Sequence, residues 1–272
     1  CVELLKRYYQ GQLSGLDEEG QAQPQGQATT NGAAAKPAGV SYGLTQQLYN
    51  FWRKCGFQPL YLRQSASDTT GENTLIMMTA LEHPDVAGGT AWLDPFVRDF
   101  KQRFMVLLGG AFRTLPAALA LSIIDPKLSW SEADSQTAVQ SGTSVTRLDG
   151  GPLTPYDLKR LHAYSNNLVD YHLVLDLLPP LTAAYFAGRL PASLSYAQAA
   201  ILVVLGLQQR TLEDCDTELS LPPNQVLALF SKAVRKLYGH LRAVKEADLE
   251  RSLPKAPPAA PPPPQVSAAV GR

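Results

Sequence analysis

Cysteine is scarce: the chain of 272 residues has three, Cys1, Cys55 and Cys215, far apart in sequence. They form no Cys-x-x-Cys or Cys/His ligand spacing, which excludes a disulfide scaffold and a zinc site, and no metal site is expected. An odd, scattered count of this kind fits a reducing compartment. Long apolar runs are missing too. The longest, residues 199–207, falls far short of the roughly 20 residues that cross a bilayer, so no membrane partner is expected. Neither sign of charge prevails, with 24 Lys and Arg against 24 Asp and Glu, so any nucleic-acid surface has to arise from local clustering. No secretory signal pattern is present, and the chain opens on Cys1 already inside a helical pattern. That opening leads us to expect a piece cut from something longer.

What is present is enough apolar residue, 45% of the chain, to build two modest cores. Val2, Leu5 and Tyr9 share one helical face, so residues 1–10 are read as a helix tail. Residues 14–38 are Gly, Ala, Gln, Pro and Thr with almost no large side chain, the composition of a disordered insertion. Residues 39–43 then read as a strand, Thr45 as the N-cap of a helix over 46–55, and Gly56 as its stop. Residues 57–64 read as an edge or bulged strand because of Pro59, residues 65–72 as a turn, and residues 73–81 as a second strand.

Beyond residues 83–90 the pattern is helical. Asp94-Pro95 is expected as a cap with proline at the first helical position, and Phe96, Phe100 and Phe104 recur every four residues. Residues 129–151 read as a loop. Thr154-Pro155 should open a long helix that Pro179-Pro180 ends, and Ser195/Gln198 and Thr211/Asp214 should cap two more. A last helix is expected from about 223 to 245 or beyond. Between 254 and 264 seven residues are proline, so residues 253–272 read as an extended tail.

Two motif groups carry the functional reading. The first runs Leu48-Tyr-Asn-Phe-Trp-Arg-Lys-Cys-Gly-Phe57, flanked by Gly39-Val-Ser-Tyr-Gly-Leu-Thr45, Tyr61-Leu-Arg-Gln64 and Thr70-Gly-Glu72. The second comprises Leu158-Lys-Arg-Leu161, the segment from Tyr164 to His172, Leu205-Gly-Leu-Gln208, and Leu221-Pro-Pro-Asn-Gln-Val-Leu-Ala-Leu-Phe230 followed by Arg235-Lys236. In this order they resemble the C-terminal part of the RNA cytidine acetyltransferases, over residues 1–12 and 39–252. The resemblance implies an α+β fragment, the C-terminal part of a GNAT (acetyl-CoA-dependent N-acetyltransferase) fold, in residues 1–82. An all-α RNA-binding domain with a helix-turn-helix-like end would follow in residues 83–252. It also implies acetyl-CoA beside the helix at Thr45, Tyr49 and Trp52, and ATP with Mg²⁺ in a helicase-like module. Its partners would be tRNA and pre-rRNA, with an adaptor protein or adaptor RNA and a homodimer as further expectations. Localisation would be nucleolar or nuclear in a eukaryote and cytoplasmic otherwise.

The departures are specific. The Gln/Arg-x-x-Gly-x-Gly/Ala loop with which GNAT enzymes hold the pyrophosphate at a helix N-terminus is not in the sequence. Neither is a Walker Gly-x-x-x-x-Gly-Lys-Ser/Thr loop. Trp52 stands where many relatives have a tyrosine acid, and indole N–H donates without a useful pKa. Asn73 stands where the family often has histidine. The catalytic residues therefore stay unassigned, and this chain alone is not expected to turn over acetyl-CoA.

The basic residues are the better lead. Lys232, Arg235, Lys236, Arg242 and Lys245 fall within half the circumference of a helix, opposite Val226, Leu229, Phe230, Ala233, Leu237, Leu241 and Val244. Arg98, Lys101, Arg103 and Arg113 form a second cluster with one acid, Asp99. Both are read as RNA-facing, with contacts to phosphates and shape. A solvated cationic face on a bundle, a protein-docking module without catalysis, and DNA binding through the helix-turn-helix are the competing readings. His172 and Asp176, four apart, read as a polar pair rather than metal ligands, Asn166, Asn167, Asp170 and His172 as a network between helices, and Cys55 as a small residue beside Gly56.

Overall fold

A computed structural model describes residues 2–9, 37–81, 91–124, 147–148 and 151–252. Most of the expected insertion (residues 14–36), most of the 129–151 loop and the proline-rich tail lie outside the described residues, while Pro37 and Ala38, expected in the insertion, belong to the first strand. Helix α1 (Val2–Tyr9) is followed by β1 (Pro37–Gly43), α2 (Gln46–Lys54), β2 (Gln58–Ala66) and β3 (Asn73–Ala80). The strands form one antiparallel sheet in the order β1-β3-β2. Strand β3 lies in the middle because its alternation is cleanest, with Leu75 and Met77 fully buried and Ile76 facing out. Pro59 sits on edge strand β2, where a missing N–H costs no ladder bond, and the register shifts between Pro59 and Tyr61.

Helix α2 begins and ends as the residues dictate. Thr45 is extended and its hydroxyl accepts the Leu48 N–H. Gly56 adopts φ 82°, which brings its own N–H onto the Arg53 carbonyl and that of Phe57 onto Trp52.

The rest of the described chain is helical: α3 (Asp94–Leu107), α4 (Ala117–Ile124), α5 (Pro155–Ser165), α6 (Leu178–Phe186), α7 (Tyr196–Leu202), α8 (Leu212–Leu219) and α9 (Pro223–Ser252). Two-residue strands β4 (Arg147–Leu148) and β5 (Gly151–Pro152) pair within the segment read as a loop. The Ser195/Gln198 and Thr211/Asp214 capping boxes form as expected. No helix among the described residues is long and apolar enough to cross a membrane.

Three expectations need correction. Asp94 is not a cap: a 3-10 turn (Ala91–Leu93) delivers Leu93 already in helical backbone geometry, so Asp94 is the first helical residue, set against the positive end of the dipole. Of the phenylalanine repeat, Phe100 and Phe104 are buried and stacked, while Phe96, in the first turn, is 59% exposed. Pro179-Pro180 opens a helix rather than ending one. Helix α5 stops earlier, at Asn166 and the left-handed Asn167 (φ 58°), and a 3-10 segment capped by Asp170 leads into α6. Proline is tolerated in that first turn, where its missing N–H has no carbonyl to bond anyway.

After α7 the chain widens into a π-helical turn (Val203–Leu207) that packs on α6. Helix α9 lies across α5, α7 and α8, burying Val226, Phe230, Ala233, Val234, Leu237 and Leu241. Helix α3 packs on β2, and the buried side chains of sheet and bundle form a single continuous core.

Candidate functional site

Helix α2 turns Tyr49 and part of Trp52 inward and leaves Phe51 exposed. Tyr49 is 1% exposed and its hydroxyl donates to the Ser122 carbonyl of α4 at 2.9 Å. Trp52 is wedged among aromatics, stacked on Tyr42 with ring centroids 6.3 Å apart and edge-on to Phe57 at 5.1 Å. Burial, with Tyr49 beside it, pushes the Tyr42 phenol well above its usual range, and that hydroxyl points at Met77 Sδ. The expected acetyl-CoA-facing strip at Thr45, Tyr49 and Trp52 therefore needs correction. Tyr49 is core, and of the half-exposed Thr45 and Trp52 the Thr45 Oγ1 is taken by its own helix.

At the other end of α2 lies a cleft of about 390 Å³. Leu44, Thr45, Gln46, Gly71, Glu72 and Asn73 line its sheet side, and Ala111, Phe112, Thr114, Leu115, Pro116 and Leu119 its helical side. The Asn73 amide donates to the carbonyls of Arg63 and Gln64, which fixes the turn. It holds backbone rather than offering a titrating group.

The cationic face of α9 divides in two. Arg235 donates to the Ser165 carbonyl at 3.0 Å and to Asn167 Oδ1 at 3.4 Å. Lys236 donates to the Ser193 carbonyl at 2.6 Å and to Gln198 Oε1 at 3.4 Å. Both tie α9 to its neighbours, contrary to the expectation that all five cations stand clear. Arg242 pairs with Glu246 one turn on, at 2.7 Å. Lys232 and Lys245 are exposed and, among the described residues, make no ion pair or hydrogen bond.

The second basic cluster is not one surface. Lys101 is buried, at 8% exposure, so it is corrected from an RNA-facing cation to a residue of the packed interior. Arg98 and Arg103 are exposed on different sides of α3, and Arg103 pairs with Asp99 at 2.8 Å. Arg113 donates to the Gln209 carbonyl. His172 and Asp176 do not pair: His172 bonds Asp170, and Asp176 with Asp157 clamps Arg160. No group of His, Cys, Asp or Glu among the described residues is arranged to hold a metal. Asn167 does join a network between helices, through Arg235.

Residues 32–82 match the model of the GNAT acetyltransferase 2 family, and residues 92–267 that of a family described as a possible tRNA binding domain. The Dictyostelium discoideum RNA cytidine acetyltransferase is 37% identical over 303 residues, covering 94% of this chain and 28% of that protein. The Schizosaccharomyces pombe enzyme is 42% identical over 218 residues, 79% of this chain and 20% of that protein. The Homo sapiens enzyme is 35% identical over 282 residues, 93% and 27%. The chain belongs to the RNA cytidine acetyltransferase family. It spans between a fifth and under a third of the length of these relatives.

Within the RNA cytidine acetyltransferase frame, the residue that sequence reading passed over is Glu72. It was visible only as part of Thr70-Gly-Glu72, a turn motif. What sets it apart is that the carboxylate lies against Gly43, at the far end of another strand. Nothing local announces that contact.

Proposed function

We propose that this chain is the C-terminal portion of an RNA cytidine N4-acetyltransferase that modifies tRNA and small-subunit rRNA, using acetyl-CoA and, in an upstream module, ATP with Mg²⁺. In that reading the sheet and α2 form a wall of the acetyl-transfer domain. The bundle holds RNA, with α8, the turn at Ser220 and α9 as a helix-turn-helix-like unit presenting Lys232, Arg242 and Lys245 to phosphates. The carrying observation is one chain in which an acetyltransferase-type segment and a tRNA-binding-type segment share a hydrophobic core. Such a joint holds RNA at a fixed distance from an acetyl donor, the positioning that converts a bimolecular transfer into an effectively intramolecular one. Nucleolar or nuclear placement, an adaptor and a homodimer belong to the same proposal. The test is acetylcytidine formation on total RNA by the full-length gene product with acetyl-CoA and ATP. Loss of product when either cosubstrate is left out supports the reading. Absence of acetylcytidine in the complete mixture, with RNA bound normally, would make the chain a docking module instead.

A further inference from the structure

The cleft beside the N-terminus of α2 is lined on one side by residues of the acetyltransferase-type segment and on the other by residues of the tRNA-binding-type segment. Its volume of about 390 Å³ lies within the range of small-molecule sites, about 300–1,000 Å³. Of the twelve residues lining it, Glu72 alone is ionisable. Three of the other polar side chains lining it are engaged within the fold: Thr45 Oγ1 accepts from Leu48, the Gln46 amide donates to Asn50 and Ser122, and the Asn73 amide donates to Arg63 and Gln64. The Glu72 carboxylate is not. It is half-buried and, among the described residues, has no ion pair and no side-chain hydrogen bond. A half-buried carboxylate left without donors keeps an unfilled demand for them.

Gly43 is what allows the carboxylate to lie there. A Cβ built on Gly43 would come 1.9 Å from Glu72 Oε2 and 3.0 Å from its carboxyl carbon. The Gly43 backbone is not left-handed, so space rather than conformation demands glycine here.

The geometry points to Glu72 as the residue that reads the exocyclic amino group of an acceptor cytosine held in this cleft. The inference rests on the proposed cytidine acetylation and names the residue that selects its substrate. An ionised carboxylate only accepts hydrogen bonds. Cytosine presents an N4 amino donor where uracil presents an O4 acceptor, and Glu or Asp is the side chain that accepts from N4. Glu72 therefore favours the base with an amino group and opposes its oxygen against uracil O4. It is a recognition residue that also fixes the nitrogen to be acylated.

Two arms test this in the full-length protein. The first titrates short single-stranded oligonucleotides, identical except for one cytosine or uracil, and needs no turnover. Wild type should prefer the cytosine strand by roughly 10-fold or more, the usual size of one base-edge contact. Glu72→Gln should erase that preference by binding the uracil strand more tightly, because an amide nitrogen donates to O4. A purely structural role cannot raise affinity for uracil. The second arm measures acetylcytidine formation. Glu72→Gln should lower kcat/KM roughly 10- to 100-fold with the dissociation constants of structured RNA and acetyl-CoA unchanged. Gly43→Ala, which displaces the carboxylate and keeps its charge, should match it, and the double variant should lose no more than either single one. Equal cytosine and uracil binding in wild type, or an unchanged preference in Glu72→Gln, overturns the assignment. Wild type that discriminates the bases yet forms no acetylcytidine keeps the cleft and removes the acetyltransferase reading.

Discussion

The division of the α9 cations yields a prediction in which stability and RNA affinity separate. Lys232→Glu with Lys245→Glu removes two exposed cations that make no intramolecular contact among the described residues. If each meets one phosphate, the log–log salt dependence of RNA affinity should flatten by about 1.4–1.8, at roughly 0.7–0.9 per contact. Exposed substitutions without partners change stability by less than about 0.5 kcal/mol, so the melting temperature should hold. Arg235→Ala with Lys236→Ala should behave in the opposite way. These side chains donate to the carbonyls of Ser165 and Ser193 and to the amides of Asn167 and Gln198. At about 0.5–1.5 kcal/mol for each direct hydrogen bond, discounted because both residues are exposed, the pair is worth about 1–2 kcal/mol. For a domain of this size that is roughly 2–8 °C in melting temperature. The assay is thermal melting by circular dichroism alongside titration of a structured RNA at two salt concentrations. If Arg235→Ala/Lys236→Ala leaves melting unchanged while flattening the salt slope, and Lys232→Glu/Lys245→Glu does neither, the division of α9 into clamping and presenting cations is wrong.

Gly206→Ala should destabilise the bundle by about 1–3 kcal/mol, the usual cost of overpacking, because its Cβ would lie 2.2 Å from the fully buried Thr182 Oγ1; denaturant midpoints check this. Burial pushes the Cys215 thiol up to about 12 and the residue is fully buried. A thiol reagent at pH 8 should therefore reach it only at the rate of unfolding, which pulse labelling with mass spectrometry measures. Acid should destabilise the helical part. The hydrogen bond from Arg160 holds Asp157 below the usual carboxylate range, the Thr211 backbone N–H does so for Asp214 and the His172 backbone N–H for Asp170. A folded-state pKa below the unfolded one contributes stability that is complete above the ordinary carboxylate pKa of about 4 and is lost as pH falls through the depressed values. Melting temperature should thus stay level down to about pH 5 and drop below about pH 4, less steeply in Asp157→Asn. Tyr49→Phe removes the bond from α2 to the Ser122 carbonyl and should cost about 0.5–1.5 kcal/mol, seen as faster amide exchange in α4.

Much of the fold was legible because local chemistry and tertiary packing agree there. Thr45 and Gly56 bound α2, the two capping boxes open α7 and α8, and the alternation of β3 places it centrally. Reading failed where one local rule admits two outcomes. Pro179-Pro180 ends a helix or opens one according to where the preceding chain turns, and that turn is made by Asn167 in a left-handed conformation no periodicity reports. The amphipathic α9 was legible as a face but not in what meets it. Arg235 and Lys236 are fixed by carbonyls 70 and 43 residues away in sequence, so their engagement depends on how the bundle closes. Lys101 was misplaced for the same reason, since spacing alone cannot tell a solvated cation from one buried by tertiary packing.

The joint between sheet and bundle follows from these details. Tyr49 and Gln46 of α2 reach Ser122 of α4, α3 packs on β2, and Leu75, Met77, Phe104 and Leu108 belong to one core. A flexible tether would let the two segments move independently, and any site between them would then form only transiently. Here the walls of the cleft are held by contacts that also stabilise the fold, so its two sides stay in register at no further entropic cost. Glu72, set against Gly43, on one wall and Thr114 on the other thus form a preorganised receptor. That rigidity is what a specificity residue needs, because discrimination between cytosine and uracil depends on a carboxylate that cannot swing away from the wrong base.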